Sequence, residues 1–423
     1  MCNIIINIHS VWWVLLIFLS KLNLYSLNDV STYTYSLIIS YIISINIGYL
    51  VANSFFKEDN VCLVGKCIVK NLAYYTNNVK MNLLLIVMII VSSTILHRFI
   101  GIILMSSFSD AHFARLSTEL FGSPLMMILY NNLIIPFSLF SMILFCFLLL
   151  KQNYNFCFFL LCVFISIVFC IGFGKNLLLQ LFFISLIMYK VDLRSLVGEY
   201  KSNFIIVKKL MGLGTFLIFI TLLFSASRET GDFTAVFLNL EESFNNFMNE
   251  TVIYMVGPFR ALDYAVHNPP FLEHLGGITY GNSSIMGIDK LFDWIFSLVG
   301  IEYNSSYEQI GETLQEAKIS INNEKGYFNF AFSSILYYLD FRFVGVIIIP
   351  FFVGFILRFL IHKFNKYPSV PIFALIIFIL MCCIMGFFNW ELSKPGPFAY
   401  CLYLIYFHYT FLVCKKIKRK VYK

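Results

Sequence analysis

The chain has 423 residues, of which 59% are hydrophobic, 18% aromatic and only 13% charged. Soluble domains carry about 25% charged and roughly 45–50% apolar residues, so a water-exposed surface cannot absorb this excess. The composition therefore excludes an ordinary soluble protein and predicts an integral membrane protein. The formal net charge of +7 does not indicate nucleic-acid binding, because the positions of the basic residues follow the pattern of membrane topology.

Runs of about 20 apolar residues are long enough to cross a bilayer as helices. Ten such runs predict an all-α polytopic membrane protein. They lie near residues 8–27, 33–56, 81–105, 124–150, 156–172, 176–190, 210–227, 333–360, 368–388 and 398–414. Between the fifth and sixth runs, the stretch Gly172-Phe173-Gly174-Lys175-Asn176 interrupts the apolar sequence. Glycine-rich backbone at membrane depth must be buried in protein or line a wet cavity.

The basic residues predict the direction of threading, because cytoplasmic loops carry an excess of Lys and Arg. With a cytoplasmic N-terminus, the cytoplasmic loops and the tail KKIKRKVYK hold most of the basic residues. Both termini are then cytoplasmic. The predicted organisation is spans 1–7 in residues 1–224, a large extracytoplasmic loop in 225–332, and spans 8–10 with the basic tail in 333–423.

The eleven cysteines do not indicate a disulfide-stabilised domain or a metal site. None lies between Ser225 and Phe332, and the cysteines are expected to behave as buried apolar side chains. Cys62 and Cys67 have no histidine or cysteine partners nearby, so no zinc site is expected.

Two stretches of the predicted loop carry apolar residues at helical spacing. One runs from Phe237 to Met248 and the other from Ile288 to Val299. Such helices can lie in the bilayer interface or pack on one another as a small cap, and the sequence leaves both open. Between them, Gly257-Pro258-Phe259-Arg260, Asn268-Pro269-Pro270 and the segment from Gly276 to Gly281 predict turns.

Four cations lie inside or at the edges of apolar segments: Arg98, Lys175, Arg228 and Arg342. A charge at membrane depth is costly and normally faces a polar cavity or a partner. Cations that converge on one face would bind a multiply charged anion such as a lipid diphosphate, for which the guanidinium fork is well suited. The alternatives are that Arg98 and Arg342 extend to the interface and that Arg228 pairs with Glu229 or Asp232.

The architecture resembles that of Wzy-type polymerases of O-antigen and capsular repeat units. The resemblance covers the many spans, a short glycine-basic break in mid-chain, one long late loop and a short closing helix pair. Local likenesses are Gly172-Phe173-Gly174-Lys175, Tyr254-Met255-Val256-Gly257-Pro258-Phe259, Asn329-Phe330-Ala331-Phe332 and the segment from Tyr337 to Gly345. Lys175 stands where relatives often have arginine, which keeps the charge but not the bidentate geometry.

This resemblance implies a GT-C-like membrane glycosyltransferase at the outer face of the bacterial cytoplasmic membrane. It would transfer a glycan from undecaprenyl diphosphate to a repeat unit on the same lipid, without metal or cofactor and with no nucleic-acid partner. The lipid bilayer and a chain-length regulator protein would be its other partners. The implied catalytic residues are Arg260, Asp263, His267 and Glu229, and the implied diphosphate-binding residues are Arg228, Lys175, Arg98 and Arg342.

Several readings stay open at this stage. Asp263 and His267 lie on one face as candidate bases if their stretch is helical, but an ordinary solvated loop face would look the same. An O-antigen ligase-like lipid-linked glycosyltransferase shares the chemistry and differs in the acceptor. A polysaccharide flippase or other transporter would also need many spans, although internal repeats and short loops are more typical of transporters.

Overall fold

The computed structural model describes residues 2–24, 26–56, 71–106, 114, 119–172, 175–190, 240–275, 277–321, 326–327 and 329–421. Helices predominate in this part of the chain. The predicted seventh span, near residues 210–227, lies outside it, as do Arg228 and Glu229.

The helices are named in chain order. They are α1 (Cys2–Leu22), α2 (Thr32–Phe55), α3 (Val79–Met105), α4 (Pro124–Leu129), α5 (Ile135–Lys151), α6 (Phe156–Gly172), α7 (Lys175–Lys190), α8 (Leu240–His267), α9 (Pro269–His274), α10 (Asn282–Leu298), α11 (Ser306–Glu316), α12 (Ser333–Lys366), α13 (Val370–Met385) and α14 (Pro395–Val421). A π-helical turn, Tyr130–Ile134, joins α4 to α5, and a 3₁₀ turn, Glu391–Ser393, precedes α14. Two short antiparallel strands, β1 (Ile319–Ser320) and β2 (Gly326–Tyr327), pair before α12.

Four helical segments of the described chain are long and apolar enough to cross a membrane: α2, α3, the continuous α4–α5 segment and α12. Shorter apolar helices include parts of α1 and α6 together with α13. The chain is therefore a helical membrane protein. Helix α6 ends at Gly172 and α7 begins at Lys175, and the predicted interruption at Phe173 and Gly174 lies outside the described residues.

The chain forms two compact units. The terminal unit combines residues 1–59 with residues 250–423, and the inserted unit comprises residues 60–249. In the inserted unit, α6 packs against α3 and α5, and α7 packs against α5. The thiol of Cys146 and the hydroxyl of Ser185 lie 3.1 Å apart where α5 meets α7.

The terminal unit is organised around close packing of α2 against α12. A Cβ atom on Gly48 would lie 1.9 Å from the carbonyl oxygen of Phe351, and one on Gly354 would lie 2.1 Å from that of Ile45. These two glycines let the backbones approach where any larger residue would clash. Small residues serve the same purpose in other membrane helix pairs.

One predicted turn is wrong and another is confirmed. Gly257 and Pro258 lie inside α8 rather than in a loop. Gly257 faces the ring of Tyr327, which a Cβ at this position would meet at 2.5 Å, so this glycine allows close packing within the helix rather than a turn. The turn predicted at Asn268-Pro269-Pro270 separates α8 from α9, and the Asn268 side chain accepts a hydrogen bond from the Phe271 N–H.

Helix α12 contains a break that no pattern in the sequence predicts. Phe341 and Arg342 leave the helical conformation, and Arg342 has a φ of 55° and a ψ of −139°. A positive φ is uncommon for a residue with a side chain and costs of order 1–3 kcal/mol, so the surrounding structure must impose it.

Candidate functional site

The carboxylate of Asp340, next to the break in α12, binds the start of α10. Its oxygens accept hydrogen bonds from the N–H groups of Gly281, Ser283 and Ser284 at 3.1, 2.9 and 3.1 Å, and from the Thr279 hydroxyl at 2.7 Å. Asp340 is fully buried. A carboxylate at a helix N-terminus is favoured by the unpaired N–H groups and the helix dipole. Asp340 therefore anchors α10 to α12.

Because Asp340 binds α10, it does not pair with Arg342, which lies two residues away in the sequence. The Asp340 oxygens are occupied by α10, and the Arg342 guanidinium lies instead over the ring of Tyr338, 5.6 Å from its centroid. Within the described chain, the buried Nη1 atom of Arg342 has no hydrogen-bond partner. A buried charged donor without a partner is costly, so this atom is a candidate for binding an anion.

Tyrosines connect Arg342 to the end of α8. The side chain of Tyr33, at the start of α2, lies beside that of Tyr338. The ring of His267 contacts the ring of Tyr33 edge-on, with centroids 6.3 Å apart. We call Arg342, Tyr338, Tyr33 and His267 the Arg342 cluster. It brings a cation, two phenol groups and an imidazole together at one end of α2, α8 and α12.

The His267 imidazole is held in a defined orientation. Its Nδ1 atom lies 2.8 Å from the main-chain oxygen of Asp263 and 3.5 Å from the Asp263 carboxylate. Nδ1 is therefore the protonated nitrogen in the neutral ring, because a carbonyl oxygen can only accept. The other nitrogen, Nε2, then carries a free lone pair. The side chain is 52% exposed, so a substrate hydroxyl can reach it.

Asp263 is engaged in positioning the start of α2. One carboxylate oxygen accepts hydrogen bonds from the Ser31 N–H at 3.0 Å, from the Ser31 hydroxyl, and from the Thr34 hydroxyl at 2.7 Å. Ser31 is also the N-cap of α2. Asp263 thus fixes both the end of α2 that carries Tyr33 and the orientation of His267.

Arg260 is buried one turn earlier in α8 and is bound to the segment between α1 and α2. It donates hydrogen bonds to the main-chain oxygens of Asn28, Ser20 and Val256 at 3.1, 3.1 and 3.2 Å, and to the Ser20 hydroxyl at 2.8 Å. These bonds use four of the five guanidinium N–H donors. Burial lowers the pKa of Arg260, against the opposing effect of Tyr35 and two aspartates.

Asn28 extends this network to the short strand pair. Its main-chain N–H donates to the Ile321 oxygen at 2.7 Å, and its side-chain amide donates to the Ser320 oxygen at 3.1 Å. Arg260 therefore holds α8, the α1–α2 connection and the strands in one arrangement. The hydrogen bonds of Arg260 are those of a structural residue, and one of its five N–H groups is left for a ligand.

The other predicted site residues lie elsewhere in the chain. Arg98 is an exposed residue of α3 in the inserted unit, and its guanidinium occupies the space beside Gly122. Lys175 begins α7, and its side chain lies outside the described part of the structure. Arg228 and Glu229 also lie outside the described residues. The structure thus groups Arg260, Asp263, His267 and Arg342 in the terminal unit.

Sequence reasoning missed the residues that join these four. Tyr33 and Tyr338 stand at the starts of apolar segments, where aromatic residues are common in any membrane protein. Asp340 lies in the segment from Tyr337 to Gly345, where nothing in the local sequence indicates its bonds to α10. In the described residues, no group of three or more His, Cys, Asp or Glu side chains is placed to hold a metal ion.

No family model matches the sequence, and no curated protein or solved structure is significantly similar to it.

Proposed function

We propose that this chain is a membrane glycosyltransferase of the Wzy polymerase type, which joins undecaprenyl-diphosphate-linked repeat units into a polysaccharide. The observation that carries the proposal is the Arg342 cluster, which combines an oriented imidazole with a guanidinium whose buried Nη1 atom has no hydrogen-bond partner in the described chain. The proposal includes ten spans, cytoplasmic termini and an extracytoplasmic loop over residues 225–332, in the bacterial cytoplasmic membrane.

The cluster supplies the groups that such a transfer needs. A hydroxyl oxygen of the acceptor sugar attacks the anomeric carbon of the donor glycan, and Nε2 of His267 takes the hydroxyl proton. The bond between that carbon and the diphosphate oxygen breaks, and the lipid diphosphate leaves with the electron pair. The Arg342 guanidinium offsets the negative charge on the departing diphosphate, which is the kind of stabilisation that often dominates catalysis.

The roles of the other residues follow from their contacts. Tyr33 and Tyr338 offer ring faces and hydroxyl groups between the cation and the base, where a sugar ring would lie. Asp263 positions His267 and the start of α2. Arg260 supports this arrangement through its hydrogen bonds. Its remaining N–H is the group through which it would bind the substrate directly.

The experiment is deletion of the gene in its host, followed by gel analysis of the surface polysaccharide. The expected result is loss of the long-chain ladder with a single attached repeat remaining. Loss of every attached repeat would favour a ligase or a flippase instead. An unchanged ladder would overturn the proposal.

Complementation then tests Arg342, with protein levels matched by immunoblot. We expect Arg342→Ala to abolish the ladder and Arg342→Lys to restore short chains only, because a lysine keeps the charge without the fork. Arg342→Gly separates charge from backbone, since glycine adopts a positive φ without strain. If Arg342→Gly restores the ladder, the residue acts through the backbone and the charge assignment is wrong. Lys318→Ala, an exposed cation of the same unit, is the control.

A further inference from the structure

Helix α10 is amphipathic, but its apolar side is exposed and its charged side faces the protein. The apolar residues Ile285, Phe292, Ile295 and Val299 are 48%, 50%, 55% and 68% exposed and form the exposed stripe of α10. The spacing of three and four residues places Phe292, Ile295 and Val299, which directly follows the helix, on one side. Ile285 precedes them at a kink, where its φ of −125° and ψ of 17° depart from the helix. A compact soluble protein would turn this face inward.

The charged side of α10 is directed into the protein. Asp293 is 7% exposed, and Lys290 forms ion pairs with Asp293 and with Glu308 of α11. Asp289 accepts hydrogen bonds from Ser306. Burial raises the pKa of Asp289, but hydrogen bonds from Ser306 and Tyr303 outweigh this effect and bring the pKa below its ordinary value. The charges of α10 are therefore paired within α10 and with the segment from Tyr303 to Glu308, whereas the apolar stripe is about half exposed.

The start of α10 lies beside the apolar surface of α12. The start of α10 is fixed to α12 through Asp340, and the ring of Tyr280 contacts the ring of Phe341 with centroids 6.4 Å apart. From Phe341 onward, exposed apolar side chains follow the length of α12. They are Phe341, Phe343, Val344, Ile348 and Phe352, each between 40% and 54% exposed. In a helix that can cross a membrane, such a face contacts lipid chains.

We propose that the exposed stripe of α10 lies in the bilayer interface, against the lipid leaflet at the Asp340 end of α12. The occupant is lipid rather than water because a contiguous apolar surface of this kind is rare on soluble monomers. It is lipid rather than a partner protein because Asp340 and the contact of Tyr280 with Phe341 fix the start of α10 beside the lipid-contacting face of α12. An amphipathic helix embedded by its apolar face binds in this way. Tyr303, beyond the end of α10, is 38% exposed, as expected of an interfacial aromatic residue.

The proposed position of α10 in the bilayer interface goes beyond the proposed glycosyl transfer and does not depend on it. A lipid-linked substrate of any kind would meet α10 before it reached the Arg342 cluster, because the start of α10 is bound by Asp340, two residues from Arg342. The α10 stripe would then form one wall of the entry route from the leaflet.

The test uses the full chain in lipid nanodiscs, with dansylalanine introduced in place of Ile295. The matched control carries the same probe in place of Gln309, an exposed polar position on α11. Doxyl groups on lipids quench dansyl emission at short range. We expect blue-shifted emission at position 295, with at least twofold stronger quenching by lipids labelled near the headgroup than by lipids labelled at the chain end. At position 309 we expect emission typical of water and little quenching by either lipid.

Two results would overturn the proposal. Emission typical of water at position 295, without quenching, would mean that the stripe faces solvent. Blue-shifted emission that neither lipid quenches would mean that protein covers it, either a second copy of the chain or another partner. A second variant with the probe in place of Val299 guards against poor expression of the first, and both positions must agree.

Discussion

Arg260 and Arg342 are two buried or half-buried guanidinium groups in different situations. Arg260 donates to four protein oxygens, whereas the Nη1 atom of Arg342 has no partner in the described chain. A donor that is already used stabilises the fold, and one that is unused is available to a ligand. Under the proposed function, the first arginine therefore supports the site and the second contacts the substrate.

Replacement of Arg260 by lysine tests this distinction. We expect Arg260→Lys to lower the stability by about 1–3 kcal/mol, because one ammonium group cannot reach all the oxygens that the guanidinium binds. Thermal unfolding in detergent measures the effect. The supporting role would be contradicted by a variant that unfolds like the parent chain but has lost all activity, since that result assigns Arg260 to the chemistry.

For His267 we expect the opposite pattern, with little effect on stability and a large effect on activity. Its side chain is half exposed, so His267→Ala should leave thermal unfolding nearly unchanged. Loss of a general base should slow transfer by about 100-fold or more, measured on synthetic lipid-linked repeat units. The matched control is His274→Ala, an exposed histidine of α9. Equal activity of the two variants would remove His267 from the reaction.

At the scale of helices, α2 and α12 approach closely because Gly48 and Gly354 have no Cβ atom. We expect Gly48→Ala to destabilise the protein, because the added Cβ would lie 1.9 Å from the Phe351 oxygen and overpacking costs about 1–3 kcal/mol. Gly101→Ala in α3 is the control, since nothing lies within 4 Å of a Cβ there. Alanine is the better helix former, so this control should be neutral or stabilising. Thermal unfolding of both variants decides the matter, and equal loss would contradict the packing argument.

Helix bounds could be predicted from the sequence because the length of an apolar run reflects the thickness of the membrane. The predicted run at 156–172 and α6 have the same bounds, and the run at 33–56 differs from α2 by one residue at each end. The packing role of Gly257 inside α8 could not be predicted, because it depends on the approach of Tyr327 from a distant segment. The break at Arg342 was missed for the same reason, since Asp340 binds α10 across a long stretch of sequence.

The candidate site was predicted in part. The spacing of Asp263 and His267 indicated a shared face if the segment is helical, and α8 confirms the helix. Their partners could not be predicted, because Ser31, Thr34 and Tyr33 come from the start of a helix more than two hundred residues away in sequence. Hydrogen bonds across such separations leave no local pattern in the chain.

At the scale of the whole molecule, the proposed topology makes a direct prediction. An alkaline phosphatase domain inserted after Gly300, in an exposed turn, should be active, because this enzyme folds only outside the cytoplasm. The same domain fused after Lys423 should be inactive, because the basic tail is expected on the cytoplasmic side. Colony colour with a chromogenic substrate reports both fusions. The reverse pattern would invert the membrane orientation and, with it, the side on which the Arg342 cluster works.

The division of the terminal unit between the two ends of the chain has a consequence during synthesis. Helix α2 leaves the ribosome about 280 residues before the start of its partner α12. At about 5–20 residues per second, this interval is roughly 15–55 s. Throughout it, the Gly48 face of α2 has no partner from α12, so the nascent chain depends on the insertion machinery or on lipid to shield that face. Variants that slow translation of the intervening segment should therefore lower the yield of folded protein more than variants that slow the last hundred codons.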